Sequence, residues 1–173
     1  LHTGVLLPVA INISAKQLIQ KDFVEQFKAL LTTYGMNPDY VEIEITESIQ
    51  LEANAEIKNS LQELKKLGIS IAIDDFGTGY SSLYYIKHLN IDRIKIAKEL
   101  VDHVVEDEFD ATIIKSIINI AEVGNIAVIA EGVETKEQWE CLRDLGCEQI
   151  QGYYFSRPLS YDTIQNDWLL TKQ

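Results

Sequence analysis

Six times along this chain a short run rich in β-branched residues gives way to a stretch of helical periodicity, and few folds accommodate that alternation. The predicted strands are Val9–Ile13, Val41–Thr46, Ile69–Ile73, Ile91–Ile96, Ile126–Ala130 and Glu148–Gln151. Val41–Thr46 alternates apolar and polar residues, the mark of a strand with two different faces. Ser14 is placed to cap a helix running to about Tyr34, where Gly35 ends it. Ile57, Leu61, Leu64 and Leu67 recur at helical spacing before Gly68, and Ile113, Ile117 and Ile120 with Ala121 mark a second such face. Further helices are predicted up to about Leu89, over Lys136–Leu145 and near Tyr161–Leu170. Asn37–Asp39 reads as a turn, Asp74–Gly79 as a loop, and Glu106–Asp110 as a solvated acidic loop.

Short connections between alternating strands and helices imply a parallel sheet with helices packed outside it. Six units in 173 residues is about 29 residues each, so eight would need roughly 230, close to the ~250 of a (β/α)8 barrel. The expected fold is therefore α/β, a TIM-type barrel represented by about six βα units, as one domain over residues 1–173. An open doubly wound sheet is the rival. No Gly-x-Gly-x-x-Gly follows the first strand, which counts against a dinucleotide site. Composition narrows the partners: 15 basic residues against 27 acidic ones give a charge of −12. Such a chain has no electrostatic grip on DNA or RNA polymers, nor on an anionic membrane. A small phosphate ligand is still open to it if metal ions supply positive charge. No apolar run has the eighteen or so residues of a membrane helix. Cys141 and Cys147 make neither a disulfide framework nor a zinc site, so a reducing, cytoplasmic setting is expected.

The function is read from the strand ends. Asn12, Glu44 with Glu47, Asp74 with Asp75, Lys95, Glu131 and Gln151 lie at or near the C-terminal ends of successive predicted strands. In a parallel α/β fold those ends meet on one face, where active sites are built. A single acid at a strand end usually reads as a helix cap or a surface group. Glu44 is harder to dismiss, because an alternating strand aims it inward with Glu42 and Thr46, and Lys95 between Ile94 and Ile96 is costly to bury without a partner. Six such strand ends in succession are not accidental. Several carboxylates converging on one point need cations, and oxygen donors select hard ions such as Mg²⁺ or Mn²⁺. Adjacent Asp74 and Asp75 suit two ions about 3.5–4 Å apart, the arrangement that activates water and steadies the leaving oxygen of a phosphodiester. Lys95 offers a point charge for water or phosphate, and Glu131 a candidate base.

The segments Asn12–Ser14, Glu44–Glu47, Asp74–Ser82, Lys95, Ala130–Glu134 and Gln151–Pro158 resemble, in order, the motifs of the EAL-domain family. The resemblance implies a (β/α)8-type barrel that hydrolyses the bacterial messenger cyclic di-GMP to linear pGpG with Mg²⁺ or Mn²⁺. Carried over by motif, Asn12, Glu44, Asp74, Asp75 and Glu131 resemble the metal-binding acids and amide, with Asp74 bridging to a second ion. Glu131 also resembles the family's base, Lys95 the lysine that holds the attacking water, and Gln151 a polar group completing the substrate site. Glu47 resembles the acid that braces the loop after Asp75, a loop tied to metal binding and dimer contacts. Glu134 falls on the same motif.

Two features depart from that pattern. The Glu-Ala-Leu segment, with its metal-binding glutamate and phosphate-contacting arginine, is not in this sequence, and Ala97 stands where the family usually has Asp. The opening Leu1-His2-Thr3-Gly4, leading straight into a strand, suggests a domain cut or only partly seen. The primary expectation is thus a cyclic di-GMP phosphodiesterase in the parent protein, with the 173-residue chain alone inactive or nearly so. The alternative is a degenerate domain that binds cyclic di-GMP, or a protein partner, without turnover. Self-association through open strand edges or the Gly77–Ser82 region is expected, as are neighbouring GGDEF or sensory domains in the parent. His2, His88 and His103 are scattered over a terminus, a helix and a loop and read as surface or packing groups, and Trp139 and Trp168 as docking residues for outer helices.

Overall fold

Each strand turns one row of side chains toward the helices and the other toward the inside of a curved parallel sheet. The computed structural model describes residues 7–47, 55–79 and 89–169. Strands β1 (Val9–Asn12), β2 (Val41–Thr46), β3 (Ser70–Phe76), β4 (Arg93–Ile96), β5 (Ala127–Ala130) and β6 (Gln149–Ile150) pair in chain order, every pair parallel. That order is the one a β/α barrel requires, and the six strands form a half-barrel with β1 and β6 at its edges. Between them run α1 (Ala15–Leu18), α2 (Phe23–Tyr34), α3 (Ala55–Lys66), α4 (Lys98–His103), α5 (Glu108–Gly124) and α6 (Lys136–Leu145). The chain's last described helix is α7 (Tyr161–Thr163), which continues as a π turn over Ile164–Leu169.

The core lies between the outer face of the sheet and the helices. Val41, Ile43 and Ile45 of β2, Ile71 and Ile73 of β3, and Ile94 and Ile96 of β4 are buried there. Ile57, Leu61 and Leu64 of α3 meet them, as do Leu100 and Val101 of α4 and Ile114 and Ile117 of α5. Burying such isoleucines and leucines stabilises by about 1.5–3 kcal/mol per side chain. No described helix is long and apolar enough to cross a membrane.

Three sequence expectations change. The single helix from Ser14 to Tyr34 is two helices, α1 and α2, because Leu18 and Phe23 are both buried. Residues five apart point about 140° from each other on one helix, so a break is needed to bury both. The acidic stretch at Glu106–Asp110 is not merely solvated loop: Asp107 accepts a hydrogen bond from the Phe109 N–H, and Glu108 and Asp110 sit in the first turn of α5. Acidic side chains there complement the helix dipole. His103, expected in a loop, belongs to α4. The short helix expected up to Leu89 falls largely on residues 80–88, outside those described, as does His88; the side chain of Trp168 is likewise not described.

Candidate functional site

Parallel pairing puts residues in register on the same side of the sheet, which gathers the polar inner rows. Asn12 lies beside Glu44, Thr46 beside Asp74, and Lys95 beside Ile129, two residues before Glu131. The inner row of β2 thus carries Glu42 and Glu44, that of β3 carries Ser70, Ala72 and Asp74, and that of β4 carries Arg93 and Lys95. Their apolar neighbours face the helices. A buried polar row is tolerated only where its members satisfy one another.

Lys95 is the centre of that row. Its Nζ lies 2.7 Å from Glu44 Oε1, 2.9 Å from Asp74 Oδ1 and 2.8 Å from Glu131 Oε1, with the lysine side chain only 7 % exposed. Burial alone would push the ammonium toward neutrality. The carboxylates of Glu131, Glu44 and Asp74 overcome this and hold its pKa above the ordinary lysine value, so the group is charged at neutral pH. Glu131 moves up as well: burial disfavours its charge, Lys95 opposes that, and Asp74 and Glu44 add repulsion. Its backbone N–H donates to Ile96 O at 3.1 Å, which fixes it at the end of β5.

Asp74 and Asp75 meet on the same side despite being neighbours, which a regular strand forbids. The pairing of β3 with β4 shifts register between Ile73 and Phe76, a β-bulge, and Asp75 takes a left-handed backbone with φ 53°. β3 therefore continues to Phe76 where the sequence suggested a loop from Asp74 onward; Phe76 still pairs with Ile96. One oxygen from each of Asp74, Asp75 and Glu131 comes within 4.8 Å of the others. The Asp75 carboxyl is held above its usual range, by partial burial first and then by Asp74 and Glu99.

The remaining predicted residues frame this cluster. Glu47 is buried, and its Oε2 accepts from the Gly77 N–H at 2.9 Å and the Gly79 N–H at 3.3 Å, while its own N–H donates to Asp74 O. A side chain at Gly79 would press on that carboxylate, its Cβ 3.3 Å from Oε1. Asn12 stands exposed at the end of β1. Gln151 follows β6, its N–H bonded to Ala130 O, and it lines a cavity of about 360 Å³ with Glu44 and Lys95. Glu134 is not among the clustered acids: it pairs on the surface with Lys98 at 2.9 Å. Ala97, fully buried, follows β4, its N–H donating to Phe76 O.

Two features went unread in the sequence. Arg93 Nε lies 3.0 Å from Glu42 Oε2 and Arg93 Nη1 donates to Gln149 Oε1 at 2.6 Å, a second polar tier inside the sheet. Its signal was the period of two, since each of these residues precedes a predicted site residue by two positions. The other is Gly152, whose backbone runs so close to Val133 that an added Cβ would collide with the backbone O and N of Val133. Gly152→Ala is expected to cost about 1–3 kcal/mol and to displace Gln151, whose carbonyl accepts from the Val133 N–H; thermal unfolding and the Gln151 amide shifts check both.

The donors fit divalent ions. They are all oxygens, three of them converge, and Asp74 Oδ1 is buried without accepting a well-directed hydrogen bond among the described residues. Burial first, and then repulsion between carboxylates this close, raises the pKa values of Asp75 and Glu131. An acid whose folded-state pKa is raised stabilises the fold only when protonated, so its contribution is lost as pH rises through that value. Asp75→Asn is therefore expected to raise the melting temperature in metal-free buffer at neutral pH. The advantage shrinks as the pH is lowered, and it reverses when Mn²⁺ is added. A lower melting temperature in chelator would contradict this. Asn tolerates the left-handed backbone, so strain does not confuse the result.

Known proteins carry the same framework. The family model described as "EAL domain" matches residues 2–158. The signaling protein YkoW of Bacillus subtilis is 42 % identical over 156 residues, covering 90 % of this chain and 20 % of that protein. The cyclic di-GMP phosphodiesterase NbdA of Pseudomonas aeruginosa is 38 % identical over 159 residues, 92 % of this chain and 20 % of its own length. The chain thus spans about a fifth of the curated relatives it matches. Among solved structures, the MucR phosphodiesterase of P. aeruginosa in complex with cyclic di-GMP superposes with a TM-score of 0.85 at 34 % identity, covering 91 % of this chain and 70 % of that one. The manganese and cyclic di-GMP complex of Klebsiella pneumoniae BlrP1 gives 0.82 at 36 %, covering 87 % and 39 %. The family-model match, the sequence identities and the superpositions settle the question of kinship: this chain belongs to the EAL domain family.

Proposed function

We propose that this domain hydrolyses cyclic di-GMP to linear pGpG in its parent protein, using Mg²⁺ or Mn²⁺ held by Asn12, Glu44, Asp74, Asp75 and Glu131. The observation that carries the reading is Lys95, charged and enclosed by Glu44, Asp74 and Glu131. When bound, divalent ions supply charge neutralisation and the lowered pKa of water. The chain's own groups do the rest. Lys95 keeps its proton and presents N–H donors toward water or a phosphate oxygen. Glu131, with its raised pKa, accepts the proton of the attacking water. Gln151 borders the cavity where the substrate would lie. Glu47 fastens the Gly77–Gly79 backbone and so keeps Asp74 and Asp75 in place. The two structural neighbours, solved with cyclic di-GMP and in one case with manganese, support the ligand and the class of metal.

Turnover by the 173-residue chain alone is expected to be slight, because the glutamate and arginine of the family's Glu-Ala-Leu segment are not among its residues. Ala97, in place of the usual Asp, favours a second reading: a receptor that binds cyclic di-GMP, or a protein, without cleaving it. Incubating the chain and the longer parent with cyclic di-GMP and Mn²⁺, and following pGpG by chromatography, separates them. Metal-dependent pGpG from the parent supports the enzyme, and tight binding without pGpG from either supports the receptor. The reading places the domain in the cytoplasm, next to GGDEF or sensory domains. It also includes self-association through the β1 and β6 edges or the Gly77–Ser82 region, which a monodisperse monomer in ultracentrifugation would contradict.

A further inference from the structure

We infer that Arg93 is a positioning residue for the site, the clamp that sets the reach of Lys95 from one tier below. The inference rests on the metal-site reading for its purpose, but its observations are independent. Arg93 and Lys95 are two residues apart on the inner row of β4, about 7 Å along the strand. Glu42 stands in the same relation to Glu44 on β2, and Gln149 to Gln151 at the end of β6. Arg93 joins all three strands through Glu42 Oε2 and Gln149 Oε1.

Those bonds cross intervening strands. β3 lies between β2 and β4, and β5 between β4 and β6. The guanidinium can bridge them only because small inner residues lie beside it: Ala72 of β3 and Ala127 of β5 are its register partners, and Ser70 is the partner of Glu42. The planar fork of arginine reaches two acceptors in fixed directions, which a lysine ammonium does not reproduce. Its effect is to fix the β2–β4 distance immediately below the place where Lys95 must touch Glu44 on β2 and Glu131 beyond β5. Arg93 touches no reacting group, and it acts through the strand spacing. Beside Lys95, it is the second positive charge among the described residues of an inner face that carries Glu42, Glu44, Asp74, Asp75 and Glu131.

The test reads Lys95 directly. Its ammonium group should give a slowly exchanging ¹H–¹⁵N resonance in the purified chain, assigned by its absence from Lys95→Arg. Arg93→Met is expected to speed that exchange about tenfold or more, and Arg93→Lys to restore it in part. Lys65→Met, which breaks the Lys65–Asp92 ion pair, supplies the control: it lowers the melting temperature yet leaves Lys95 exchange within about twofold. Exchange in Arg93→Met within that same margin overturns the proposal, as does the lack of a slowly exchanging Lys95 signal in the parent sequence. Should Arg93→Met fail to fold, Glu42→Leu and Gln149→Leu each remove one arm, and unchanged exchange in both is equally fatal. A parallel Mn²⁺ titration keeps the two readings apart. Loss of affinity when Arg93→Met is made in the longer parent supports the clamp; no Mn²⁺ binding by the unaltered parent removes the metal reading while the ammonium signal still decides this one.

Discussion

Lys95→Met is expected to lower the stability of the metal-free protein by about 3–5 kcal/mol, the usual cost of deleting one partner from a buried charge cluster. Three carboxylates, Glu44, Asp74 and Glu131, lie within 2.9 Å of the lysine nitrogen, and methionine would leave them facing one another without a cation. For a domain of this size the loss corresponds to a fall of roughly 6–20 °C in melting temperature. The pH dependence follows from the direction of each shift. The Lys95 pKa is raised in the folded state, so its stabilisation is complete below the unfolded value and disappears only as pH climbs through the folded one, well into the alkaline range. At neutral pH the whole contribution is at stake. In the variant, Glu131 becomes harder still to ionise, and protonation relieves the repulsion. The deficit should therefore shrink as pH falls from 7 toward 4.5, and Mn²⁺ should recover part of it at neutral pH. Melting curves across that range decide the matter. A deficit below 1 kcal/mol that ignores pH would show that solvent, not Lys95, relieves the carboxylates.

That buried lysine was visible in the sequence because Ile94-Lys95-Ile96 leaves a charge between two core residues. The alternation of strands and helices was visible for a similar reason: apolar periods of two and about 3.6 are imposed by burial, and Gly35 and Gly146, with left-handed backbones, stop α2 and α6 where a glycine signal would place the ends. What escaped detection depends on partners distant in sequence. Nothing local to Asp74-Asp75 announces a bulge, whose position is set by the register of β3 against β4. The Arg93 tier needs a residue on β4 to find acceptors on β2 and β6, 51 and 56 positions away. The break after Leu18 depends on which side chains the third helix covers, as Ser60 Oγ of α3 donates to Leu18 O. Of the candidate site, the convergence of Glu44, Asp74, Asp75, Lys95 and Glu131 was legible, because strand ends of a parallel sheet meet on one face. Their pairwise geometry was not.

On the proposed function, Glu131→Gln in the parent protein is expected to lower the rate of cyclic di-GMP hydrolysis about 10²–10⁴-fold, the range associated with loss of a positioned general base. Glutamine keeps the size of the side chain and can still accept from Lys95 through its carbonyl oxygen, so the polar tier beneath it is undisturbed. It removes a charge whose folded-state pKa is already raised by burial and by Asp74 and Glu44. An ionised acid with a raised pKa destabilises the fold at neutral pH, so the variant should be at least as stable as the unaltered protein in chelator. Activity and stability therefore move in opposite directions, which distinguishes a catalytic role from a structural one. The pH profile gives a second reading. Hydrolysis by the unaltered protein should fall on the acid side as Glu131 takes up its proton, and the residual rate of the variant should lose that limb. Weakened Mn²⁺ binding together with a proportionate rate loss recovered at high Mn²⁺ would reassign Glu131 from base to ligand alone. A variant that keeps its rate at every Mn²⁺ concentration would remove it from both roles, and the proton would then have to pass to Asp75, the other acid of the cluster with a raised pKa.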